Sequence, residues 1–123
     1  MSDALWTSQV VNVGRDAGEM LEAGVLILFA DPCPDALAEV SVVHSGAKSP
    51  TGPIEAGDQF RIADQGYSVD EVGQRVQSNL HELGHVVIYV NQPEQELLPG
   101  AIKATGPALK RPPIGSVLGF YPA

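Results

Sequence analysis

The chain has 123 residues, 44% of them hydrophobic, and carries a formal net charge of −8 at pH 7. That length supports one domain with one real core, burying roughly two-thirds of the surface the unfolded chain exposes, and the composition excludes a disordered chain. The acidic balance excludes a nucleic-acid binder, because the only basic doublet, Lys110-Arg111, offers little to neutralise phosphates.

Cys33 is the single cysteine, so no intrachain disulfide forms and a reducing compartment is expected. The opening MSDALWTSQV lacks the basic patch and apolar run of a secretion signal. The longest greasy stretch, GVLILFA at 24–30, is far short of the roughly 20 residues a membrane helix needs. A cytoplasmic protein is the expectation.

Along the chain, Gly and Pro separate short runs rich in Val, Ile and aromatic residues, which suit a pleated, half-buried surface. Strands are expected near 5–13, 23–30, 39–44, 58–63, 66–72, 85–90, 100–105 and 115–121. Turn signals such as DPCPD, SGAKSPTGP, ADQG, NQPEQ and KRPPIG separate them. A single turn of helix is expected at 34–38. A longer helix is predicted over 74–83, where Val76, Leu80 and Leu83 fall at helical spacing and Gly84 suits a left-handed helix end. No internal repeat is visible. Many short strands in a small chain predict a mainly β fold, a small single-domain β-barrel.

The letters HELGH at 81–85 have the spacing of a zinc peptidase, with His81 and His85 as ligands and Glu82 polarising the metal-bound water. That site needs one helix running through both histidines. Here His85 opens HVVIYV, a β-branched run that reads as a strand, and a third ligand at recognised spacing is missing. Without a metal, His81 is an exposed residue at a helix end and His85 a polar residue at a strand start. No metal and no cofactor are expected.

The longer stretch NLHELGHVVIYV, followed by LLPGAIKATGP and PPIGSVLGFYP, resembles the glucitol/sorbitol-specific IIA component of the bacterial phosphoenolpyruvate-dependent sugar phosphotransferase system. ILFADPCPDALAEVSVVHSG matches the same family more loosely. The family pattern does not ask for histidine at position 81. The resemblance implies a cytoplasmic β-barrel-like phosphotransferase component occupying the whole chain, 1–123. Its partners would be HPr as phosphoryl donor and the IIB unit of the permease as acceptor.

By the same resemblance the phosphoryl-accepting residue is His44, at the end of EVSVV and before the loop SGAKSPTG. Imidazole suits the task, being about nine-tenths neutral at pH 7.5 for an unperturbed ring and able to serve as both nucleophile and leaving group. The flexible loop is expected to expose the ring to two large partners. Gly46 lets backbone N–H groups face an anion. Ser45, Ser49 and Thr51 are candidate hydrogen-bond donors, and Lys48 is the nearby cation. The nitrogen farther from the backbone is the expected acceptor. His85 is a supporting candidate through the family's L-G-H stretch. Relatives carry H-x-H-G where this chain has His44-Ser45-Gly46, and the loop before GDQF is about one residue longer here.

Two rival readings stand beside this one: a zinc-dependent hydrolase using His81, Glu82 and His85, and a non-catalytic regulatory β-barrel. Small barrels with exposed strand edges often pair, which leaves a homodimer open.

Overall fold

The computed structural model describes residues 4–48 and 50–123. Eight strands run in chain order: β1 Trp6–Val13, β2 Val25–Ala30, β3 Val42–Ser45, β4 Gln59–Ile62, β5 Gln65–Val72, β6 Val86–Val90, β7 Ala101–Thr105 and β8 Val117–Tyr121. Three short helices punctuate them: α1 Ala17–Glu22, α2 Asp35–Ala38 and α3 Val76–Leu83. The strands close into a barrel in the order β1-β3-β2-β6-β7-β5-β4-β8. Neighbours are antiparallel except β2–β3 and β6–β7, which are parallel and joined by crossovers. The sheet closes on itself, so each of the eight described strands is paired on both sides. None of the described helices is long and apolar enough to cross a membrane.

The period-2 alternation of the strands decides what lies inside. In β1 the inward positions are Trp6, Ser8, Val10 and Val13. Phe60 and Phe120 are opposite each other in the β4–β8 pairing, with ring centroids 5.0 Å apart. Trp6 adds to this stack from one side, 6.0 Å from Phe120, and Tyr67 from the other, 6.2 Å from Phe60. Full burial of each such ring contributes about 1.5–3 kcal/mol.

Helix α3 stops where expected. Gly84 adopts φ 62°, the left-handed cap, and its N–H reaches the Leu80 carbonyl at 3.0 Å. Helix α1 was not expected. It is only six residues long and buries just Ala17 and Leu21, so it shows too little periodicity to stand out. The strand expected from 39 begins instead at Val42, because Glu39 still has right-handed helical dihedrals at the exit of α2.

An internal repeat also went unseen in the sequence. The segment β1-α1-β2-β3-β4 and the segment β5-α3-β6-β7-β8 are wired alike, related by a pseudo-twofold that passes between the antiparallel pairs β2–β6 and β4–β8. Each half has one register shift, at Val10/Asn12 in β1 and at Val69/Glu71 in β5. The residues before the two helices, Asp16 and Arg75, have φ −101° and −102°. Gly14 and Gly73 match too: at each, a Cβ would strike two backbone carbonyls, those of Ala38 and Glu39 or of Leu98 and Pro99. Phe60 matches Phe120, Gly24 matches Gly84, and His44 matches Ala104. The twofold reverses strand direction, so the barrel has two equivalent mouths at opposite ends.

Candidate functional site at one barrel mouth

His44 lies in β3, paired with Val10 of β1 on one side and Ala30 of β2 on the other. Strand alternation places it on the inward face beside Val42, at the last turn of the barrel wall. Its ring is 0% exposed. Trp6 packs edge-on against it, with centroids 5.2 Å apart and planes at 87°. Nδ1 lies 2.7 Å from Ser8 Oγ, and Nε2 lies 2.7 Å from the Gly84 carbonyl oxygen. A carbonyl only accepts, so Nε2 carries the ring proton and donates to it.

Burial pushes the His44 pKa below its ordinary value, and the hydrogen bond to Gly84 partly offsets this. The imidazole is therefore neutral at pH 7. The unfolded chain binds this proton near the ordinary value of 6.5, whereas the folded one resists it until lower pH. Stability is therefore full above that value and falls as pH drops from it toward the folded pKa, at most about 1.4 kcal/mol per pH unit for one proton. Urea unfolding at pH 7.5 and 5 is expected to show this loss in the native protein. His44→Gln should lose less over the same interval, the difference being the histidine's share.

A cavity of about 360 Å³ opens beside the ring, lined also by Asp31, Ser45, Gly46, Lys48, His81 and Glu82. Three of the residues expected from the sequence are thus brought together with His44: Ser45, Gly46 and Lys48. Gly46 has φ 87°, the backbone freedom expected of it. Thr51 is not part of this cradle, since its hydroxyl lies 3.3 Å from the carbonyls of both Ala4 and Leu5. Ser49 lies outside the described residues.

His85 is placed elsewhere. Its Nδ1 is 2.9 Å from the Leu28 carbonyl, and its ring packs on Phe29 with centroids 5.0 Å apart. Val86, the next residue, is the one that points into the core. The α3 helix ends before His85 and takes His81 to the mouth instead, so the two histidines do not share a helical face. Among the described residues no group of three or more His, Cys, Asp or Glu side chains is arranged to hold a metal.

The structure also corrects the expectation of an exposed ring. Paired on both sides and roofed by Gly84 and Trp6, His44 faces the cavity from inside the wall rather than from the loop. Sequence reasoning passed over Ser8 and Trp6, and read Gly84 only as a helix end. Ser8 had a legible signal, a hydroxyl at an inward position in the alternation Trp6, Ser8, Val10.

The opposite mouth is built on the same plan with other side chains. Ala104 stands in place of His44, and Tyr67, bonded through its hydroxyl to Gln65 Oε1 at 2.8 Å, stands in place of Ser8. The Gly24 carbonyl, equivalent to that of Gly84, accepts from Gln92 Nε2 at 2.8 Å. Of these two matched inward positions, one carries an imidazole and the other a methyl group.

The fold puts the chain in the class of small closed β-barrels, here with a buried imidazole at one barrel end under the C-terminus of α3. The chain belongs to the family of the PTS system glucitol/sorbitol-specific IIA component, whose family model matches residues 5–119. It is 29% identical over 116 residues to the PTS system glucitol/sorbitol-specific EIIA component of Shigella flexneri and to that of Escherichia coli strain K12, an alignment covering 94% of this chain and 94% of each relative. The crystal structure of the PTS system IIA component from Enterococcus faecalis V583 has the same fold, with a TM-score of 0.80 over 95% of this chain and 99% of that one at 23% identity.

Proposed function

We propose that the whole chain works as one cytoplasmic IIA domain that accepts a phosphoryl group from phospho-HPr on His44 Nε2 and passes it to the IIB unit for glucitol or sorbitol uptake. The observation that carries this reading is the neutral imidazole at one mouth of a pseudo-symmetric barrel, matched at the other by alanine. Phosphoryl transfer asks mainly for positioning and for neutralisation of spread negative charge. Lys48 and the N–H groups around Gly46 supply part of that on this side of the encounter, and the partners supply the rest.

The Gly84 carbonyl occupies the direction from which phosphorus approaches Nε2. Acceptance therefore requires the last turn of α3 to draw back from the ring. Leu83, at that turn and 47% exposed, is an apolar handle at the cavity rim on which a docking protein acts.

Incubation with phosphoenolpyruvate, enzyme I and HPr should place one acid-labile phosphoryl group on the protein, and adding the IIB unit should remove it. His81→Ala should keep both steps, since the relay does not use that ring as nucleophile. Failure to label, or a label that IIB cannot discharge, refutes the reading.

A further inference from the structure

We propose that Ser8 is a positioning residue for phosphoryl acceptance, its hydroxyl turning between two acceptors so that His44 can exchange its resting tautomer for the nucleophilic one. This rests on His44 being the acceptor.

Ser8 is 6% exposed, and its Oγ has two neighbours, His44 Nδ1 at 2.7 Å and the Ser45 carbonyl oxygen at 3.0 Å. One hydroxyl has one hydrogen to give. At rest the Gly84 carbonyl holds the proton on Nε2, so Nδ1 is bare and Ser8 donates to it. Attack on phosphorus needs the reverse, a lone pair on Nε2 and the proton on Nδ1. In that tautomer Nδ1–H donates to Ser8 Oγ, and the hydroxyl hydrogen swings to the Ser45 carbonyl. In both arrangements Nδ1 and the Ser8 hydroxyl stay hydrogen-bonded, neither Ser8 Oγ nor the Ser45 oxygen has to move, and only the Gly84 carbonyl gives up its donor as the last turn of α3 draws back.

The chemistry balances. As the Gly84 carbonyl withdraws, Nε2 releases its proton to solvent and Nδ1 takes one up from solvent, with no net change in charge. The Nε2 lone pair then forms the bond to phosphorus while the donor's phosphorus–nitrogen bond breaks, its electron pair returning to the donor imidazole. The Nδ1 proton stays, and positive charge develops on a ring that Ser8 holds through Nδ1–H. The groups facing this ring are Trp6 and Ser8 from β1 and Gly84 at the C-cap of α3, with Asp31, Lys48, His81 and Glu82 around the cavity. Among the described residues Ser8 is the hydrogen-bond partner of Nδ1. The fold does not demand serine there, since its twin position holds Tyr67.

The test compares the native protein, Ser8→Ala, Ser8→Thr and His44→Gln. Uptake from phospho-HPr is followed in each, and imidazole ¹⁵N spectra are recorded on the phosphorylated forms at pH 7.5. Ser8→Ala should slow uptake about tenfold, the kinetic equivalent of one lost hydrogen bond, and Ser8→Thr should restore most of it. The phosphorylated native protein should show a protonated Nδ1, and the phosphorylated Ser8→Ala protein an unprotonated one. Uptake at the native rate in Ser8→Ala, or a protonated Nδ1 in its phosphorylated form, overturns the proposal while leaving the acceptor reading intact if His44→Gln is dead. Labelling that persists in His44→Gln overturns both.

Discussion

Replacing His44 with glutamine should abolish phosphoryl uptake altogether while leaving the barrel folded. Glutamine has no nitrogen lone pair able to attack phosphorus, so no residual rate through this position is expected. It does retain an N–H₂ donor for the Gly84 carbonyl. The opposite mouth shows that the pairing is stable, because there Gln92 Nε2 donates to the matching Gly24 carbonyl at 2.8 Å. Ser8 loses a partner, but its contact with the Ser45 carbonyl remains. The stability change should therefore stay near the value of one hydrogen bond, about 1 kcal/mol. Labelling with enzyme I and HPr, beside a urea denaturation curve, reads both quantities. A folded variant that still takes up one phosphoryl group would refute the role given to this ring.

The largest stability effect is expected at Gly84. Its φ of 62° is left-handed, which costs a residue with a Cβ about 1–2 kcal/mol. The added Cβ would also lie 2.5 Å from Ala30 Cβ, 2.8 Å from His44 Cε1 and 3.1 Å from His44 Nε2. Overpacking of this kind costs about 1–3 kcal/mol. Gly84→Ala should therefore lose about 2–5 kcal/mol and lower the melting temperature by roughly 10 °C or more. The surviving folded protein should take up the phosphoryl group more slowly, since the methyl group presses on the ring proposed to receive it. A thermal shift of a degree or two would mean that the α3 terminus does not sit on His44 as described.

The β-branched runs declared the strands because a closed barrel with one buried face needs alternation at nearly every position. Helix α3 was equally plain, its Val76 and Leu80 facing inward and its glycine at the end. Helix α1 was not, because six residues with two buried positions and Gly18 near the start carry little pattern. The twofold was hidden for a different reason. What the two halves share is spread thinly: Gly14 with Gly73, Gly24 with Gly84, Phe60 with Phe120. These are positions where backbone geometry or the core constrains the residue, and the surface between them is free to differ. At the site, the resemblance pointed to His44 as the proposed acceptor, but the burial of its ring was not legible. Whether a strand-end histidine faces the loop or the interior depends on register with β1 and β2, which a local stretch does not contain. HELGH shows the converse: five letters with a metal-site spacing are divided by one left-handed glycine into a helix end and a strand start.

The most direct measurement is to phosphorylate the protein through HPr and locate the phosphorus by ¹⁵N–³¹P correlation on the imidazole rings. A single phosphoryl group coupled to Nε2 of His44, accompanied by shifted Gly84 and His85 amides, is the predicted result. Phosphorus on Nδ1, on His81 or His85, or on a side chain outside this mouth would contradict it.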